Sequence, residues 1–83
     1  MRINYKPSDK KVLIKIGNNI KKFRKEKNLS QETLAYECGM DRTYVSAVER
    51  GERNISILKL KKIADVLKIE LISLIMGEKN ENC

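Results

Sequence analysis

Arg42, Thr43, Tyr44 and Ser46 fall within one five-residue stretch, RTYVS, and all four can hydrogen-bond outward from a short helix. The guanidinium of Arg42 can donate two parallel hydrogen bonds to the O6 and N7 of a guanine. Its alternative is a solvated cation near a helix start, but a cation there opposes the helix dipole, so local stability does not account for it. Thr43 can touch a base or a thymine methyl, Tyr44 a phosphate or a base step, and Ser46 a phosphate; each is otherwise an ordinary exposed helix residue. This is chemistry of recognition rather than of reaction. Histidine is absent, the four glycines (Gly17, Gly39, Gly51 and Gly77) are scattered, and no carboxylate pair stands in a recognisable motif. A nucleophile with its base, a metal centre and a phosphate-cradling loop all lack their usual residues, so neither an enzyme nor a cofactor or metal is expected.

The chain that must position these groups has 83 residues, 41% of them hydrophobic and 35% charged, which suits one small folded domain over residues 1–83. An ordered core of about 9–76 is expected, with loose ends at 1–6 and 77–83. The formal charge of +7 favours a polyanionic partner, with a solvated face as the plainer account. The first 28 residues hold ten of the eighteen basic side chains, so the basic part lies in the first third. Met1 to Lys11 has no apolar run of signal-peptide length, and Leu71 to Met76 is far too short to cross a bilayer. Cys38 and Cys83 imply neither a disulfide framework nor zinc. A cytoplasmic protein with reduced thiols is expected.

Val12, Leu13, Ile16, Ile20 and Phe23 recur at helical spacing and predict an amphipathic helix over about Asp9 to Lys27. One start signal then occurs three times: an apolar residue, Ser or Asp, and a second apolar residue four positions into the helix. The sets are Leu29, Ser30, Leu34; Met40, Asp41, Val45; and Ile55, Ser56, Leu60. In each, a side-chain oxygen caps the first-turn amides while the apolar pair staples the entry. Gly39 and Gly51 stand where the second helix (Gln31–Cys38) and the third (Arg42–Arg50) should stop. Leu58, Leu60, Ile63, Ala64 and Leu67 continue into a fourth helix, and Leu71 to Met76 form a fifth. No segment alternates with period two, so the fold expected is all-α, a bundle of five helices. Two short helices joined by Gly39, Met40 and Asp41 have helix-turn-helix spacing, in which the second helix enters the DNA major groove.

The segment SQETLAYECGMDRTYVSAVERG, Ser30 to Gly51, resembles the phage-repressor-like helix-turn-helix family, also called Xre or Cro/C1, and the likeness extends over residues 12–76. Within it, DRTYVSAVERGERNIS, Asp41 to Ser56, is similar to the controller proteins of restriction-modification systems. The resemblance implies a lambda-repressor-like bundle with a central helix-turn-helix. It also implies a sequence-specific transcriptional regulator that binds operator DNA as a dimer and controls its own gene and the endonuclease gene. An antitoxin or phage-type repressor of the same fold, with a toxin protein as a further partner, is the alternative.

The resemblance also assigns roles. Gln31, at the start of the second helix, corresponds to a glutamine that binds a phosphate beside the helix N-terminus. Arg50, Arg53 and Asn54 resemble a backbone-binding loop, and Arg53 could also enter a groove. Ala47 takes the place of a longer base-reading side chain, leaving a thymine methyl as its partner or shifting specificity toward DNA shape. Arg24 and Glu49 correspond to an ion pair tying the first helix to the third. Base contacts are thus expected from Arg42, Thr43, Tyr44, Ala47 and Arg53, and phosphate contacts from Gln31, Ser46, Arg50 and Asn54.

A lone half-site contact binds too weakly at cellular salt, so a homodimer on double-stranded DNA with a pseudo-palindromic operator is expected. Leu71, Ile72, Leu74, Ile75 and Met76 carry more apolar surface than one subunit can bury and supply its interface. Activation would add RNA polymerase as a partner, met by acidic residues such as Glu32 or Glu37.

Overall fold

The structure is a computed structural model and describes residues 5–79. Five helices follow one another: α1 (Pro7–Glu26), α2 (Gln31–Cys38), α3 (Arg42–Glu49), α4 (Ile57–Leu67) and α5 (Leu71–Met76). There is no strand among the described residues. The fold is the all-α, lambda-repressor-like bundle with α2 and α3 as its central helix-turn-helix.

Local chemistry sets the helix ends. Ser30, Asp41 and Ser56 are the N-caps of α2, α3 and α4, their side-chain oxygens accepting from the amides of Thr33, Thr43 and Lys59. Each satisfies a donor that the first turn leaves without an intrahelical partner. Gly39 ends α2 in the left-handed conformation at φ 68°, which turns the chain sharply into α3. α1 begins two residues earlier than the apolar spacing predicts. Pro7 occupies its first position, where a missing N–H costs nothing, and the Asp9 carboxylate accepts from the Lys6 amide at 3.0 Å. α4 ends without glycine, on Lys68 at φ 57°.

The core gathers Ile20 and Phe23 of α1, Leu34, Ala35 and Cys38 of α2, Val45 and Val48 of α3, Leu60, Ile63, Ala64 and Leu67 of α4, and Leu74 of α5. Full burial of such aliphatic side chains contributes roughly 1.5–3 kcal/mol each, which lets helices this short persist. α1 packs on α3 and α5, while α2 packs on α3 and α4. At its crossing with α3, α1 presents Gly17, where a Cβ would lie 2.4 Å from the Val48 carbonyl oxygen and 2.6 Å from that of Glu49. Only a residue without a side chain admits so close an approach.

At α1's other crossing, the Asn19 amide donates to the Leu74 carbonyl at 2.7 Å and to that of Ile75 at 3.4 Å. The Lys22 ammonium reaches the Gly77 carbonyl at 2.7 Å. The last carbonyls of α5 are thereby satisfied by side chains of α1. One apolar assignment from the sequence needs correction. Leu74 is 0% exposed and belongs wholly to its own subunit's core, because α5 lies in the groove between α1 and α4. Val12 (55% exposed) and Leu58 (71% exposed) continue the helical apolar spacing but lie outside the core.

Candidate nucleic-acid interface

α3 offers two unlike faces. Val45, Val48 and Glu49 turn inward, whereas Arg42 and Thr43 are exposed on the first turn. No ion pair or hydrogen bond among the described residues engages the side chains of Arg42 or Arg53, so both guanidiniums keep their donors for an external acceptor. Tyr44 is half-buried, and the Lys59 ammonium lies 4.7 Å from the centre of its ring. That cation–π contact holds the ring against the start of α4. Lys59 was not legible as a partner of α3, because the contact joins helices fifteen residues apart.

Ala47 is 7% exposed, and its carbonyl accepts from the Glu52 amide. With so little of it exposed, Ala47 offers almost no surface to a base, unlike the Arg42 and Thr43 side chains. Ser46 is half-buried, and its hydroxyl accepts from the Arg50 guanidinium. The same guanidinium grips Glu52 through two hydrogen bonds of 3.0 and 3.1 Å. This pairing raises the pKa of Arg50 and pulls that of Glu52 below the usual carboxylate range. Arg50 is therefore a shared cation that must exchange a carboxylate for a phosphate on binding. Asn54, exposed on the loop, donates to the Tyr5 hydroxyl at 3.4 Å.

Behind this surface lies a buried polar network. The Arg24 Nε donates to Glu49 Oε2 at 2.7 Å, its Nη2 to Oε1 at 3.0 Å and its Nη1 to the Leu29 carbonyl at 2.8 Å. Gln31, half-buried, adds its amide nitrogen to Glu49 Oε1 at 3.0 Å. Glu49 thus meets three donors, which offsets the cost of burying its charge and fixes the end of α3 against α1 and α2. Gln31 spends one amide hydrogen on this network. A phosphate beside α2 would be met by its second amide hydrogen and the first-turn backbone amides.

Cys38 is buried, and desolvation, followed by the neighbouring Glu37 charge, pushes its thiol pKa up, which suits a small packing group. No cluster of three or more His, Cys, Asp or Glu that could hold a metal ion occurs among the described residues. No helix among them is long and apolar enough to cross a membrane.

The helix-turn-helix family matches residues 20–74. The control protein C.MunI of a Mycoplasma species is 48% identical over 64 residues, covering 76% of this chain and 86% of the relative. The crystal structure of the restriction-modification controller C.AhdI from Aeromonas hydrophila superposes with a TM-score of 0.73 at 48% identity, covering 75% of this chain and 94% of that one. SinR, the master regulator for biofilm formation, was solved in complex with DNA. It matches with a TM-score of 0.68 at 40% identity, covering 71% of this chain and 95% of that one.

Proposed function

The chain belongs to the helix-turn-helix family of DNA-binding transcriptional regulators, and from that premise we propose that it is the controller protein of a restriction-modification system. It works in the cytoplasm as a homodimer that binds a pseudo-palindromic operator and adjusts its own gene and the endonuclease gene. The observation that carries the reading is the pair of guanidiniums with no hydrogen bond or ion pair among the described residues, Arg42 on the first turn of α3 and Arg53 on the following loop. They lie beside a helix whose inner face is pinned by the Arg24–Glu49 ion pair. A rigid helix with free donors at its N-terminal end is what major-groove reading requires. Arg42 and Thr43 read base edges, Tyr44 and Arg53 a base or groove, and Gln31, Ser46, Arg50 and Asn54 grip backbone.

The dimer forms through the side of α5 that its own subunit leaves bare: Ile72, Ile75 and Met76, the last 54% exposed, with half-buried Leu71 at the edge. Glu32 and Glu37, exposed on α2, supply the acidic face for RNA polymerase when the protein activates.

Selection of bound fragments from random DNA, with footprinting at two salt concentrations, tests the reading. One twofold-symmetric site with half-sites about one helical turn apart is expected. Retrieval of no site, or of an asymmetric one bound by a monomer, overturns it. Neighbouring methyltransferase and endonuclease genes are expected as well, and a neighbouring toxin gene would replace the controller by an antitoxin.

A further inference from the structure

The start of α1 stands opposite the loop that follows α3, and a cleft of about 610 Å³ separates them. Tyr5, Lys10, Leu13 and Ile14 form one wall, while Arg50, Glu52, Arg53 and Asn54 form the other. The walls are held in fixed relation at two points. Asn54 donates across to the Tyr5 hydroxyl at 3.4 Å, and Gly51 lies so close to Ile14 that an added Cβ would stand 2.8 Å from its Cα.

The charges in this cleft are unequal. Lys10, Arg50 and Arg53 face a single carboxylate, Glu52, which Arg50 already holds at 3.0 Å. Asp9, on the same turn as Lys10, accepts from the Lys6 amide through one oxygen and keeps its charge beside Tyr5 and Asn54, so the cations still outnumber the carboxylates, three to two. Lys10 therefore remains without a described partner, and Arg53, whose charge acts on Glu52, remains without a hydrogen bond or ion pair among the described residues; both face one space beside a hydroxyl and a carboxamide. A compact dianion or a diester phosphate matches that set of donors. A small apolar ligand does not, since Leu13 and Ile14 line one side only.

We infer that this cleft seats a backbone phosphate of the bound DNA, with Lys10 of α1 joining Arg53 of the loop on it. The inference rests on the DNA-binding reading above and adds to the interface an element, the start of α1, that lies outside the matched residues 20–74. The Tyr5–Asn54 hydrogen bond places the carboxamide and the phenol at the mouth of the cleft, where either can donate to a second phosphate oxygen.

The experiment compares Lys10→Gln, Lys10→Arg and Lys25→Gln in the full chain, on the selected operator, over a range of salt concentrations. Lys25→Gln removes the same charge about 22 Å farther along α1 and so controls for the diffuse field. Loss of one phosphate contact lowers the salt slope by about 0.9, so Lys10→Gln should lose about fivefold in affinity near 0.15 M salt and about fifteenfold near 0.05 M. It should also lose one position of ethylation interference per half-site with base preference unchanged, and Lys10→Arg should restore the slope. Lys10→Gln with the slope and interference pattern of Lys25→Gln overturns the inference. In that case, continued base selectivity abolished by Arg42→Ala leaves the DNA-binding reading standing. A wild-type chain that binds no DNA removes both.

Discussion

Alanine at position 17 sets two physical effects against each other, and the geometry decides the sign. Replacing glycine by alanine inside a helix ordinarily stabilises it by about 1 kcal/mol. Here the new methyl would stand 2.4 Å from the Val48 oxygen and 2.6 Å from the Glu49 oxygen. Ordinary carbon–oxygen contacts begin near 3.3 Å, so both are short by roughly 0.7–0.9 Å. The obstructing atoms are backbone carbonyls at the end of α3, not a side chain that can rotate away. Overpacking of this kind costs up to about 3 kcal/mol, leaving Gly17→Ala about 2 kcal/mol less stable after the propensity gain. In a domain of this size that lowers Tm by about 8–16 °C. Urea titration followed by circular dichroism, at one fixed protomer concentration because the proposed dimer would make stability depend on concentration, measures it directly. A midpoint equal to or above that of the wild type would show that α1 does not rest on the end of α3, and would refute the account of how the reading helix is oriented.

Other changes test separate parts of the account. Arg42→Ala should cost about 1–3 kcal/mol at one base pair and relax preference there with helical content intact; equal loss on every sequence would make it a backbone contact. Glu49→Gln removes one charge of the buried pair and leaves Arg24 without its counterion, so it should destabilise by about 3–5 kcal/mol in urea. A cost below about 1 kcal/mol would mean that the pair is solvated. Ile75→Glu should yield folded monomers by sedimentation, whereas Leu74→Glu should unfold the subunit; folded monomers from Leu74→Glu would restore that residue to the interface.

What the sequence made legible was what neighbouring residues settle among themselves. The three capped helix starts and the Gly39 turn were readable because cap, staple and left-handed stop all lie within a few positions of one another. The start of α1 was misplaced by two residues because its first turn carries no apolar side chain to mark it, only Pro7 and the acceptor Asp9. Leu74 could not be told from Ile72 and Ile75, since the one polar residue of the run, Ser73, is itself buried beside Leu74 and so points to the wrong face as the exposed one. Ala47 is ambiguous in the sequence because a methyl suits a core and a groove equally, and only its burial in the folded chain separates the two. The engagement of Arg50 by Glu52, of Tyr44 by Lys59 and of Asn54 by Tyr5 depends on side-chain directions that spacing does not report.

The six residues of α5 are too few to hold a helix by themselves, and its final carbonyls are met by Asn19 and Lys22 from the opposite end of the chain. The apolar side of α5 proposed to meet a second copy is thus in place only when α5 is docked on α1 and α4. If α5 is the dimer surface as proposed, loosening α1 from α5 should weaken pairing along with stability.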